Sequence, residues 1–250
     1  MRKVHLGVNV DHIATVRQAR RGFHPDPIEA ARVCERAGAT RIVCHLREDR
    51  RHMQDDDVRR LKAAVTTRLN LEMSVAEDIV KVALAVRPDQ VTLVPERRQE
   101  LTTEGGLDVV RLSRKLKDLI GRFQERGIDV SLFIDPVRDQ VQAARDTGAT
   151  AIELHTGPYA HATAPPARHR ELAVLAEAAR TGEAFGLVVA AGHGLEYENV
   201  REVAEIPEVE ELNIGFSIIV RALSVGLEQA VRDMVAHLMP HKTHALEAAS

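Results

Sequence analysis

Short runs of apolar and β-branched residues alternate with longer amphipathic stretches along the whole chain. The runs are VHLGVNV (4–10), TRIVCHL (40–46), RLNLEMS (68–74), QVTLVP (90–95), DVSLFID (129–135), AIELHTG (151–157), LVVAAGHG (187–194) and ELNIGF (211–216), eight in all. Between them lie segments such as PIEAARVCERAG, VRRLKAAV, AEDIVKVALAV, DQVQAARDTGA and RELAVLAEAARTG. Several of these place Ala or Leu at the three-and-four spacing of one helix face. Gly38, Gly127, Gly148 and Gly182 stand where a helix would be capped at its C-terminus, and Asp26-Pro27 and Asp135-Pro136 suit helix starts.

Mostly apolar strands, each followed by a helix, predict an α/β fold with a parallel sheet covered on both faces. Eight such units match a (β/α)8 TIM barrel. An open doubly wound sheet is the main competitor, but strand one runs into DHIATVRQARRG, with no G-x-G-x-x-G dinucleotide loop. The reading is one barrel domain over residues 1–239, with a frayed tail over 240–250. Two spacings exceed a plain unit. Residues 96–128 hold the loop ERRQELTTEGG and a long helical pattern, and the proline- and alanine-rich PYAHATAPPAR (158–168) reads as a mobile loop.

Composition narrows the function classes. The chain has 250 residues and 44% apolar content, enough for a full core. A net charge of -3 gives no reason to expect a nucleic-acid or anionic-membrane partner. No apolar run approaches the ~18 residues of a membrane span and no signal peptide is recognisable, so a soluble, cytoplasmic protein is expected. Cys34 and Cys44, the two cysteines, are too few for a disulfide framework or a zinc ribbon and read as small buried hydrophobes.

In a barrel of this kind the active site forms at the C-terminal ends of the strands. Those ends carry Asn9, Asp11 and His12; His45 and Arg47; Glu72; Glu96 leading towards Thr102; Asp135; Glu153 and His155; His193; and Asn213 and Gly215. The starts of the runs carry no comparable set. A lone strand histidine is more often a hydrogen-bonded core residue than a catalyst. Asp135 suits a helix cap as well as a catalyst. Arg50, Arg51, Asp55, Asp56 and Asp57 read as a solvated turn and a helix start, where acids favour the dipole. Glu72, between Leu71 and Met73, would gain a raised pKa if it points into the barrel and so serve as a proton acceptor near neutral pH.

Two anion sites are suggested. AAGHGL ends run seven with two glycines, and NIGFSIIVRAL ends run eight and opens a helix, so backbone N–H groups can meet a phosphate. Arg20 and Arg47 could clamp a second phosphate in bidentate fashion. No lysine lies in the C-terminal half of any strand, so a Schiff base on the enzyme is not available and any amine must come from a substrate. His and carboxylate ligands for a metal exist, but no H-x-H pair or H-E-x-x-H stretch marks a metal site. A metal-dependent aldolase or isomerase acting on a sugar phosphate, or a non-catalytic ligand-binding barrel, are the competing readings.

GVNVDHIATVRQAR, HLREDRRH, NLEM, LVPERRQELTTEGGLDV, VSLFID, IELHTG, AGHGLEYENV and ELNIG occur in this order. Together they resemble the pyridoxine 5′-phosphate synthase family of the deoxyxylulose-dependent vitamin B6 pathway, over about Leu6 to Met239. The resemblance implies a (β/α)8 barrel with extra helices, one of them over 106–126, and a homo-octamer. It implies condensation of 1-deoxy-D-xylulose 5-phosphate with 3-amino-2-oxopropyl phosphate, without metal or organic cofactor. It implies His45 and Glu72 as proton acceptors and His193 as proton donor. Asn9 matches the position that holds the aminooxopropyl phosphate; Asp11, His12, Arg47, His52 and Thr102 match contacts to the deoxyxylulose phosphate. Arg20, Gly194, Gly215 and Phe216 match further substrate and phosphate contacts. The segment from Glu96 to Gly106 resembles a mobile, water-excluding loop. The family commonly has histidine where this chain has Phe216. A position that supplies only a backbone N–H tolerates that change; one whose imidazole binds phosphate would lose affinity.

Overall fold

The computed structural model describes residues 4–96 and 105–239. Thr102, most of the expected mobile loop and the 240–250 tail lie outside the described residues. The element order is β1 (His5–Asn9), α1 (Asp11–Gln18), α2 (Pro27–Ala37), β2 (Arg41–Leu46), α3 (Asp55–Ala64), β3 (Arg68–Met73), α4 (Glu77–Val86), β4 (Gln90–Leu93), α5 (Val109–Gln124) and β5 (Asp129–Ile134). It continues with α6 (Arg138–Asp146), β6 (Ala151–His155), α7 (Gly157–His161), α8 (Pro165–Ala184), β7 (Val188–Gly192), α9 (Val200–Ala204), β8 (Glu211–Ile214), α10 (Phe216–Val225) and α11 (Leu227–Leu238). All eight strands are parallel to their neighbours and close into a barrel in sequence order. Each expected run is a strand.

Alternation along the strands divides two environments. Leu69, Leu71, Val91, Val130, Leu132, Ile152 and Leu212 belong to the apolar core packed between barrel and helices. The intervening Asn70, Thr92, Ser131, Glu153, Glu211 and Asn213 are buried polar residues of the barrel interior. Thr92 donates its hydroxyl to Asn70 Oδ1 at 2.9 Å. The apolar layer therefore lies outside the barrel, where burying a leucine such as Leu71 contributes about 1.5–3 kcal/mol. The interior is free to carry chemistry. Strand starts are also charged, contrary to expectation, but they pair among themselves: Arg41 with Glu211 and Arg68 with Asp129. The opposite, C-terminal end opens on a cavity.

Helix ends follow local chemistry in part. The Asp26 side chain accepts the Ile28 N–H at 3.1 Å, Pro27 opens α2, and Gly38 closes it at φ +111°. Three expectations are corrected. Gly182 does not cap a helix; it lies inside α8, where an added Cβ would stand 2.9 Å from both Ile152 and Val189. Residues 158–168 are not a loop: α7 and the first turn of α8 occupy most of them, with proline in the first turn of each helix. Residues 106–126 do not add an extra helix, because among the described residues α5 is the one helix between β4 and β5. Among the described residues the second helices of a unit follow β1, β6 and β8.

Candidate active site

Asn9 ends β1 and ties the cavity floor together. Its Oδ1 accepts the Asp11 N–H at 2.8 Å, and its Nδ2 donates to Glu72 Oε2 at 3.4 Å. Asp11, buried in the first turn of α1, accepts the backbone N–H of His45 at 2.8 Å. The parallel register pairs His45 with Glu72, so both side chains enter the barrel side by side. Asp11, His45 and Glu72 bring ligand-capable atoms within 4.8 Å of one another. A divalent cation could use these three groups, although the hydrogen bonds above already employ Asp11 and Glu72.

Glu153 of β6 is the second acid of the interior. Asn213 of β8 donates to its Oε2 at 2.8 Å. Burial drives the Glu72 carboxyl well above the usual range, and the charges of Glu153 and Asp11 push it the same way. Burial also pushes Glu153 up to about 7, against the hydrogen bond from Asn213 and with the nearby charge of Glu211. Burial and like charge together favour the protonated form of both carboxyls.

The basic side is built from the segment after β2. His45 Nε2 and Arg47 Nε each lie 3.5 Å from a Glu96 carboxylate oxygen. Burial works against the Glu96 charge, but His45, the Glu48 N–H and Arg47 outweigh it and hold the carboxyl below its ordinary value. Arg17 grips Asp57 with two bonds of 2.6 and 2.7 Å and donates to the His52 carbonyl at 3.2 Å. Asp57 also accepts the Gln54 N–H at 2.9 Å. It is thus a buried anchor for the His52 turn rather than part of a solvated face. Burial lowers the imidazoles of His12 and His52 below their usual range.

The far wall comes from β7 and β8. His193 follows β7 at φ +86°, and burial, then the nearby His155 and His161, lower its imidazole to about 4. Gly194 follows at φ +74°. Gly215 and Phe216 open α10, whose first N–H groups have no partners within the helix. Ser217 donates to the Leu195 carbonyl at 2.8 Å and locks the two loops together. The Phe216 ring meets His12 edge-on at 5.1 Å.

These walls enclose a cavity of about 550 Å³. Asn9, Asp11, His12, His45, Arg47, His52, Glu72, His193, Gly194, Gly215 and Phe216 all line it. Arg20 does not; it stands exposed beyond the end of α1, and Arg51 lines the cavity instead. Glu153 and Asn213 also line it, as their places at strand ends suggest, and so does Arg51, which the sequence places in a solvated turn. Glu153 and Asn213 carry the signal that found the others, a polar side chain at the interior-facing end of a strand. Asp135 is not a helix cap. It accepts the Gly106 N–H at 2.9 Å and pairs with His155 Nδ1 at 3.1 Å, and α6 begins only at Arg138.

The model of the pyridoxal phosphate biosynthesis protein PdxJ family matches residues 6–240. The pyridoxine 5′-phosphate synthase of Synechococcus sp. (strain JA-2-3B'a(2-13)) is 58% identical over 229 residues, covering 92% of this chain and 96% of its own. That of Geobacter sulfurreducens is 56% identical over 230 residues, with the same coverage of 92% and 96%. Among solved structures, phosphoribosyl anthranilate isomerase from Thermus thermophilus covers 94% of this chain and 98% of its own, with a TM-score of 0.60 at 17% identity. That likeness concerns the barrel alone. The sequence relatives reach further, and with the matched model they make this chain a member of the PdxJ family of pyridoxal phosphate biosynthesis proteins.

Proposed function

We propose that the protein is a pyridoxine 5′-phosphate synthase. It condenses 1-deoxy-D-xylulose 5-phosphate with 3-amino-2-oxopropyl phosphate to pyridoxine 5′-phosphate, inorganic phosphate and water. The relatives of more than half identity carry that name. The observation that carries the reading onto this geometry is the convergence of Glu72, Glu153, His45 and His193 on one cavity.

Imine formation, phosphate elimination, ring closure and dehydration each move protons, so several acid–base groups must surround one bound intermediate. The amine comes from a substrate, in keeping with strand ends that hold no lysine. An ammonium entering beside Glu72 and Glu153 would favour their ionised forms against the burial that raises both. Glu72 and His45 then accept protons, and His193 donates on the opposite side. Gly194, Gly215 and the first turn of α10 cradle one phosphate. Arg47 and Arg51 face the other, and Arg20 belongs to the same reading as a further substrate contact. Thr102 belongs to the same reading as a contact to the deoxyxylulose phosphate.

The reading uses no metal and no organic cofactor. It includes a homo-octamer, which would cover some of the exposed apolar residues such as Phe23 and Leu223. It also includes a cytoplasmic location. No helix of the described residues is long and apolar enough to cross a membrane, and the buried thiols Cys34 and Cys44 are free.

The test incubates chelator-treated protein with both substrates and follows product by absorbance and mass. Product without added metal is expected. Turnover that returns only with a divalent ion would move the reading to a metal-dependent enzyme built on Asp11, His45 and Glu72. Glu72→Gln should keep fold and substrate binding and lose turnover.

A further inference from the structure

His193 holds a backbone conformation that its residue type does not favour. A φ of +86° is left-handed, a region that residues with a Cβ adopt uncommonly, and the surrounding hydrogen bonds help hold it. The surroundings come from the end of β6. Thr156, fully buried just after the strand, directs its hydroxyl at both carbonyls of the turn, 2.6 Å from Gly192 O and 2.5 Å from His193 O. Its own N–H donates to Gly192 O at 2.9 Å. The hydroxyl has one proton for two acceptors, but the Gly192 carbonyl keeps a second donor. The hydroxyl therefore matters most to the carbonyl of His193 itself.

One residue earlier, the ring of His155 packs edge-on against the ring of His193, with centroids 5.2 Å apart at 67°. His155 is fixed in turn. Its Nδ1 lies 3.1 Å from Asp135 Oδ1, and the Phe133 ring lies 5.2 Å away. Gly157 leaves room for it, since a Cβ there would stand 2.4 Å from His155 Nε2. Asp135, His155 and Thr156 do not line the cavity, so their contacts to His193 and its turn are the link on which their effect rests.

We propose that Thr156, backed by the Asp135–His155 pair, positions His193: the hydroxyl sets the turn and the His155 ring sets the angle of the imidazole. The inference rests on His193 being the proton donor. Thr156, His155 and Asp135 are positioning residues acting through it, and their loss should slow the chemical step while leaving substrate binding intact.

Steady-state kinetics of Thr156→Val, Thr156→Ser and His155→Asn, each alone and in a His193→Asn background, test this. Thr156→Val keeps the shape and removes the hydroxyl. Its kcat should fall about tenfold or more, as misplacement of a catalytic group does, with KM for both substrates within about twofold. Thr156→Ser should return kcat to within about threefold of the parent. His155→Asn keeps an N–H for Asp135 but withdraws the ring, and should also lower kcat alone. In the His193→Asn background none should add more than about a twofold further loss, because residues that act through one group are not additive. Full additivity, a change carried by KM, or unchanged kcat in both Thr156→Val and His155→Asn would overturn the proposal. Should Thr156→Val fail to fold, His155→Asn and the Ser variant decide. Wild-type turnover in His193→Asn removes the donor role and this inference with it; a dead His193→Asn beside fully active positioning variants removes the inference alone.

Discussion

Gly192 faces the Glu153 carboxylate so closely that a Cβ on it would stand 2.4 Å from Glu153 Oε1 and 3.0 Å from the Asn213 carbonyl. No side chain fits, and the acid, rather than the backbone, would have to move. Gly192→Ala should therefore displace Glu153 and break its 2.8 Å bond from Asn213. We expect kcat to fall about tenfold to a hundredfold, with the barrel still folded. Unchanged turnover in this variant would show that the position of Glu153 does not matter to the reaction.

The raised pKa of Glu153 makes stability depend on pH. Its carboxyl binds a proton more tightly in the folded protein, at about 7, than at the ordinary 4.5 of an unfolded chain. As pH rises from about 4.5, the unfolded chain ionises first, while ionisation in the fold is opposed by burial. The stabilisation is thus complete below about 4.5 and gone above about 7, a change of at most about 3 kcal/mol. The lowered imidazoles of His193, His12 and His52 push stability the other way over nearly the same range, so the Glu153 share is read as a difference. The Tm of Glu153→Gln, which cannot ionise, minus that of the parent should rise with pH across this window in ligand-free protein. Parallel curves for the two proteins would refute the assignment to Glu153.

The strands and the site could be read from sequence for the same reason. Leu71, Glu72 and Met73 alternate because one face packs on helices while the other enters a polar interior. Glu153 followed the same rule, as an interior-facing polar residue near the end of β6. Local chemistry misled where tertiary partners decided. Pro165 and Pro166 look like loop residues but occupy a helix start. Gly182 looks like a cap but makes room for Ile152 and Val189. Asp135 looks like a cap but serves His155, twenty residues away. Arg20 has the right residue type, yet α1 ends at Gln18 and leaves it exposed outside the cavity.

A neutral His193 in the free protein sets a third prediction. With its imidazole lowered to about 4 by burial and by His155 and His161, it carries no proton to donate near neutral pH until an anion arrives. Inorganic phosphate bound beside Gly194 should favour the imidazolium and raise its midpoint by about one unit or more. NMR of labelled histidine, titrated with and without phosphate, reads the shift. An identical midpoint in both titrations would mean that the phosphate does not charge His193.

Phe216 tests how the phosphate is held. Phe216 is 61% exposed and its ring meets His12 edge-on, whereas its N–H belongs to the open first turn of α10. If backbone N–H groups bind the phosphate, the side chain matters little. Phe216→His and Phe216→Ala should then change KM for 3-amino-2-oxopropyl phosphate by less than about threefold. Gly215→Ala should behave differently, because its Cβ would stand 2.9 Å from Asn9 Cβ and 3.1 Å from Asn9 O. That clash shifts both the helix start and Asn9, and KM should rise about tenfold or more. A Phe216→His variant that lowers KM tenfold would instead assign the phosphate to an imidazole this chain lacks.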